Sequence, residues 1–227
     1  MKPVAAALLC VGFVFAQAPR QEATVAAPEL HFKPADNLSD IKQQLVDYVR
    51  SGQYDREIVD VVKAAHDWVE TRTASPKSGE KLAAIFDIDE TSLSGLSEMA
   101  QCDFCSPSAR SSIFPPGRLT AIKPVLDLYN FAKSKGVAMF FLTGRYETGR
   151  EIATSNLTAA GYAGWTDILF RPNANSQTAA LMKAGVRKTV EQKGYKIILN
   201  IGDQLSDLAG GYSERTYKLP DPFYFVE

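Results

Sequence analysis

Apolar and polar positions change rhythm near Gly79. Before it, Ile58, Val61, Val62, Ala65 and Val69 recur at helical spacing. Ser75-Pro76 ends the pattern, because the residue before a proline disfavours helical backbone. Ser39 is the predicted N-cap of an earlier helix through Arg50, so residues 37–79 read as a helical extension. Beyond Gly79 come short, continuously apolar runs at 82–86, 137–142 and 197–201, with a lesser one at 168–170. Runs without polar alternation suit parallel strands covered on both faces. Helical patterns such as Ile122, Val125, Leu126 and Tyr129 lie between them, and Lys135-Gly136 and Lys193-Gly194 supply helix stops. The alternation predicts an α/β fold with a doubly wound, mainly parallel sheet.

The first residues obey another logic. Met-Lys-Pro precedes 13 uncharged, mostly apolar residues ending at Ala16, and a polar stretch comes next. That is the layout of a secretory signal peptide over 1–16, with 17–36 as a linker. A membrane span needs about 20 apolar residues, so no stable membrane anchor is expected. The destination read from this segment is secreted or periplasmic. Lys and Arg number 25 against 26 Asp and Glu, a balance that offers no field for a nucleic acid polymer. Cys102 and Cys105 stand as C-D-F-C, and in an exported chain such a pair is a disulfide candidate. A zinc site would need more soft ligands than His31 and His66 provide. The oligomeric state leaves no mark on the sequence.

The chemistry sits just beyond the end of each apolar run. The first leads into Asp87-Ile88-Asp89-Glu90-Thr91, the second into Thr143-Gly144-Arg145, and the third into Gly202-Asp203-Gln204-Leu205-Ser206-Asp207. Ligands of open α/β sheets bind outside the carboxyl ends of the strands, so three such segments should meet in one crevice. Four carboxylates there, from Asp87, Asp89, Asp203 and Asp207, would repel by roughly 3 kcal/mol per pair at about 6 Å and an effective dielectric near 20. Such a site demands a cation. Oxygen ligands with open positions fit Mg2+, and a phosphate bridging it would be the natural substrate group.

The constellation resembles the haloacid dehalogenase (HAD) superfamily, and within it acid phosphatases related to class B enzymes and plant vegetative storage proteins. F-D-I-D-E-T, F-F-L-T-G-R, L-M-K-A-G-V-R and the long G-Y-K-I-I-L-N-I-G-D-Q-L-S-D-L-A-G-G are similar to its four motifs, over residues 80–212. The resemblance implies a phosphatase domain over 37–227, with a small cap insertion at 92–118. It implies that Asp87 is the nucleophile and forms an aspartyl-phosphate, and that Asp89 is the acid and base. Thr143 and the Gly144 N–H would hold phosphoryl oxygens, and Lys183 would neutralise charge developing on them. Mg2+ would bind Asp87, the Asp89 backbone carbonyl and Asp203, with Asp207 supporting the metal or Lys183. Arg145 either touches substrate or braces its loop. Gly95, where the family usually has Asn, and C-D-F-C depart from the pattern.

The small cap implies an open crevice, where Phe104, Phe114 and Tyr146 would either stack on an aromatic leaving group or pack within loops. A dehalogenase would need neither Asp89 nor Asp203, and a phosphorylation-receiver domain would be half this length. The expected activity is that of a secreted, Mg-dependent acid phosphatase acting on a small-molecule phosphomonoester. The alternative is a non-catalytic storage or binding protein on the same fold.

Overall fold

Burial on two faces explains the uninterrupted apolar runs. In the computed structural model the described residues are 37–105, 109, 113, 119–174 and 176–226. The predicted signal peptide, the linker and Phe114 lie outside them.

Two helices come first, α1 (Leu38–Arg50) and α2 (Gln53–Ala74). Five parallel strands then build the sheet: β1 (Lys81–Phe86), β4 (Ala138–Tyr146), β5 (Asp167–Arg171), β6 (Tyr195–Gly202) and β7 (Arg215–Lys218). Their order is β5-β4-β1-β6-β7. Alternate residues of each strand face opposite layers. Ala84, Phe86, Met139 and Phe141 join α2, α4 (Lys123–Ser134) and α5 (Arg150–Ala159) in the larger core. Ala83, Ile85, Phe140 and Leu142 meet Met182 and Val190 of α6 (Ala179–Gln192) on the other face. Aromatic edges fill the larger core, where Tyr129 lies 5.6 Å from Phe86 and 5.1 Å from Tyr162 between ring centroids.

The first helix starts earlier than the pattern predicts. Asn37, not Ser39, is its N-cap, and its side-chain oxygen accepts the Ser39 N–H at 2.9 Å. Asn caps as well as Ser, and its placement gains helix residues 38 and 39. The edge strand β7 has little apolar signature because, of its side chains, only that of Tyr217 packs against the core. Its R-T-Y-K sequence puts charge on an open edge, which discourages pairing with other chains. Arg215 instead lies over the Trp68 ring, 3.8 Å from its centroid. Trp68 donates its indole N–H to the Ile198 carbonyl at 2.8 Å, where the β1–β6 register shifts.

Between β1 and β4 the chain makes a small excursion. Its stem is an antiparallel pair, β2 (Leu93–Ser94) with β3 (Thr120–Ala121), and it contains α3 (Leu96–Gln101). Cys102 and Cys105 are bonded. Asp103 and Phe104 within that ring have positive φ. His66 stacks on Phe131 at 3.8 Å, a packing histidine.

Candidate active site

Strand β1 lies at the middle of the sheet, and the chain runs to β4 on one side and to β6 on the other. At this switch point Asp87 leaves the carboxyl end of β1, its N–H donating to the Ile201 carbonyl of β6 at 3.0 Å. The next residues turn sharply. Ser92 donates its hydroxyl to the Asp87 carbonyl at 2.6 Å, and Glu90 sits at φ 52°. A carboxylate compensates for that backbone: Glu90 accepts from the Gly95 N–H at 2.7 Å and the Ser94 hydroxyl at 3.1 Å. Thr91 consequently faces β6 and donates to Asp203 Oδ1 at 2.8 Å.

Lys183 comes from the buried side of α6, whose N-cap Thr178 accepts from the Leu181 N–H. It is 4% exposed and donates to Asp87 Oδ1 at 2.5 Å and Asp207 Oδ1 at 2.6 Å. Asp207 belongs to α7 (Leu205–Leu208), whose short turn is closed by a reciprocal capping box with Gln204. Its other oxygen accepts the Gln204 N–H at 2.8 Å. Arg187, one turn beyond Lys183, is fully buried and offers its guanidinium to the carbonyls of Asp207, Ala209 and Gly211. Asn200 also donates to the Asp207 carbonyl, at 3.0 Å.

Asp87, Asp203 and Asp207 each place a carboxylate oxygen within 4.8 Å of the others. Asp89 is not one of these three tightly clustered carboxylates but stands near enough for its charge to act on Asp87, and its own side chain is paired with Arg145. Arg145 Nε donates to Asp89 Oδ2 at 2.8 Å, and Nη2 binds Asp89 Oδ1. Thus Arg145 grips a carboxylate, and its own N–H donates to Thr143 Oγ1 at 3.1 Å. Thr143 is buried, whereas Gly144 is exposed beside it.

At such separations each pair of ionised carboxylates repels by about 3.5 kcal/mol or more at an effective dielectric near 20. The titration of the group reflects this. Burial raises the Asp87 carboxyl well above its ordinary value, Lys183 opposes the rise, and Asp207, Asp203 and Asp89 add to it. Burial also pushes Asp203 up to about 8, helped by Asp207 and Asp221. For Lys183 burial acts downward, but Asp87 and Asp207 outweigh it and hold the ammonium charged. The Lys183 ammonium contacts Asp87 and Asp207, while Asp203 is met by the neutral donors Thr91, Gln204 and Tyr224, which leaves the three carboxylates short of positive charge. An all-oxygen donor set with that deficit fits a hard divalent cation such as Mg2+.

Several participants escape a reading of the sequence. Gln204 Nε2 donates to Asp203 Oδ2 at 2.8 Å and to Asp221 Oδ2 at 2.7 Å, and Tyr224 donates its hydroxyl to Asp203 Oδ2 at 3.2 Å. Burial and then the nearby carboxylates of Asp203, Asp89 and Asp221 push the Tyr224 phenol up, so it keeps its proton. Gln204 adjoins a recognised aspartate, which is a usable signal. P-D-P-F-Y after β7 has no periodicity and no motif to announce it. Phe104 packs against Phe223, ring centroids 6.0 Å apart and nearly parallel, which answers its alternative in favour of loop packing. Tyr146 is half exposed, with the Arg171 guanidinium 6.0 Å from its ring centroid.

Fold and site together define a phosphoryl hydrolase of the HAD type. The family model for HAD superfamily, subfamily IIIB (acid phosphatase), matches residues 18–227. The chain belongs to this family of phosphomonoester hydrolases. It is 31% identical over 191 residues to vegetative storage protein 1 of Arabidopsis thaliana, spanning 82% of this chain and 70% of that protein. Acid phosphatase 1 of Solanum lycopersicum is 34% identical over 148 residues, 63% of this chain and 58% of that enzyme. The class C acid phosphatase of Bacillus anthracis shares the fold, with a TM-score of 0.66 at 18% identity over 83% of this chain and 86% of that one. Among the described residues no helix is long and apolar enough to cross a membrane.

Proposed function

We propose that the protein is a secreted, Mg2+-dependent acid phosphatase that works through an aspartyl-phosphate on Asp87. The observation carrying this reading is the buried contact of Lys183 with both Asp87 and Asp207 beside Asp203. Asp87, the Asp89 backbone carbonyl and Asp203 would hold Mg2+, with Asp207 fixing Lys183 and supporting them. The ion supplies the positive charge that lets a phosphate dianion approach these carboxylates.

A carboxylate oxygen of Asp87 attacks phosphorus as the ester P–O bond breaks. Lys183 and the Gly144 N–H balance charge on the phosphoryl oxygens, with the Thr143 hydroxyl beside them. The Asp89–Arg145 pair, which favours ionised Asp89, must part before Asp89 takes up the proton that it gives to the leaving alkoxide. Asp89 then takes a proton from water, which attacks phosphorus, frees inorganic phosphate and restores Asp87. This order of events favours acidic conditions, and a pH–rate profile climbing steadily to pH 9 would count against it. Export is supported by the apolar segment ending at Ala16 and by the Cys102–Cys105 bond, which suits an oxidising compartment.

Asp87→Asn is expected to abolish hydrolysis of p-nitrophenyl phosphate while circular dichroism stays native; substantial residual turnover rejects the nucleophile assignment. EDTA should silence the enzyme and Mg2+ restore it. The similarity to vegetative storage proteins favours a second reading, a storage or binding protein on the same fold. Failure to turn over every ester in a panel of nucleotides, sugar phosphates and phosphoamino acids would select it.

A further inference from the structure

We propose that Tyr224, acting with Gln204, leaves Asp203 only one lone pair for a cation and so makes the site prefer Mg2+ over Ca2+. This rests on the Mg2+ reading of the same pocket, and it concerns a residue outside the four motifs.

A carboxylate offers about four acceptor positions, two on each oxygen. On ionised Asp203 the described donors occupy three; the Asp221 carboxyl also lies in hydrogen-bond contact, as acceptor of the proton that Asp203 carries when neutral. Thr91 Oγ1 donates to Oδ1 at 2.8 Å, while Oδ2 takes both the Gln204 amide at 2.8 Å and the Tyr224 hydroxyl at 3.2 Å. Nothing remains on Oδ2. Asp203 is therefore confined to one contact through Oδ1, the oxygen on the Thr91 side.

The donors cannot easily turn away. Gln204 Oε1 accepts the Val226 N–H at 3.1 Å, which fixes the amide with its nitrogen toward Asp203. Asp221 Oδ1 accepts the Phe223 N–H at 2.9 Å between two prolines, Pro220 and Pro222. Phe223 is wedged between Tyr54 of α2, at 5.4 Å, and Phe104 of the disulfide ring, at 6.0 Å. That anchor delivers the neighbouring phenol to Oδ2.

The two cations read this restriction differently. Mg2+ takes six ligands in a near-ideal octahedron and accepts single-oxygen contacts with water in the remaining positions. Ca2+ takes six to eight oxygens and often draws both oxygens of one carboxylate. With Oδ2 saturated, the second mode is closed at Asp203. Tyr224 is thus a positioning residue: it acts on the metal only through Asp203.

The test is calorimetric titration of the full-length protein with Mg2+ and with Ca2+, without substrate. Tyr224→Phe keeps the ring and removes one donor; loss of such a partner costs roughly tenfold in metal affinity, and this loss is expected to fall on Mg2+ rather than on Ca2+, so that the Mg2+:Ca2+ affinity ratio drops. Phe223→Ala, which loosens the anchor without touching Asp203, should move the ratio the same way. Phe225→Ala, 73% exposed beside them, should match the parent protein. A ratio unchanged in both Tyr224→Phe and Phe223→Ala overturns the inference and leaves the Mg2+ reading standing. Binding of neither cation by the parent protein overturns both.

Discussion

Single residues here are constrained by what touches them at close range. A Cβ added at Gly202 would stand 2.4 Å from Asp207 Cβ and Oδ2, closer than any real contact allows. Gly202→Ala should therefore push Asp207 off Lys183, with a fall in kcat and a melting temperature several degrees lower by differential scanning fluorimetry. Arg187 presents a planar fork to three carbonyls, a task that lysine's single ammonium performs badly. Arg187→Lys is expected to cost about 2–4 kcal/mol of stability in urea unfolding, because buried carbonyls lose their donors. The Arg187 position is visible from its spacing to Lys183; its three acceptors are not, since they are backbone carbonyls of residues 207–211, which carry no side-chain signal for the contact. Arg145 shows the same limit. Its place in a motif is legible, but its choice of Asp89 over open solvent depends on the twist that brings the ends of β1 and β4 together.

Elements are legible where burial is symmetrical. The runs that become β1, β4 and β6 are apolar throughout because helices cover both faces, a condition that writes itself into every residue. β7 is half covered and lies at the edge, so nothing in R-T-Y-K distinguishes it from a loop. Its neighbourhood is held instead by an ion cluster: Arg72 of α2 binds Glu80 ahead of β1 and Glu214 ahead of β7, each at 2.9 Å. The hydrogen bond from Arg72, then that from the Lys77 N–H, hold Glu80 below the ordinary carboxylate value. A carboxyl depressed on folding stabilises above its unfolded pKa and loses that contribution as pH falls through the folded one. Arg72→Ala should thus lower the melting temperature at pH 7, with the difference from the parent shrinking below about pH 4. An equal deficit at pH 3 and pH 7 would show that packing of the arginine stem, not its charge, holds these elements.

For the whole molecule, a cation held by the three clustered carboxylates would be linked to folding, because these groups stand just beyond β1 and β6 and on α7 and meet only in the native state. Mg2+ at a hundred times its dissociation constant should raise stability by about 2.7 kcal/mol, read as a melting shift that Asp203→Asn abolishes. Nor is the pocket complete in any half of the chain. Asp87 depends on Ile201 for its place, Lys183 on residue 207, and Asp203 on a phenol at 224. Hydrolytic competence accordingly arrives last in synthesis. A ribosome that has released Asp87 still holds an inert polypeptide, and a product clipped short of the final aromatic cluster would lack the Tyr224 hydroxyl that donates to Asp203. A protein threaded unfolded across a membrane would leave the phosphate esters behind it untouched.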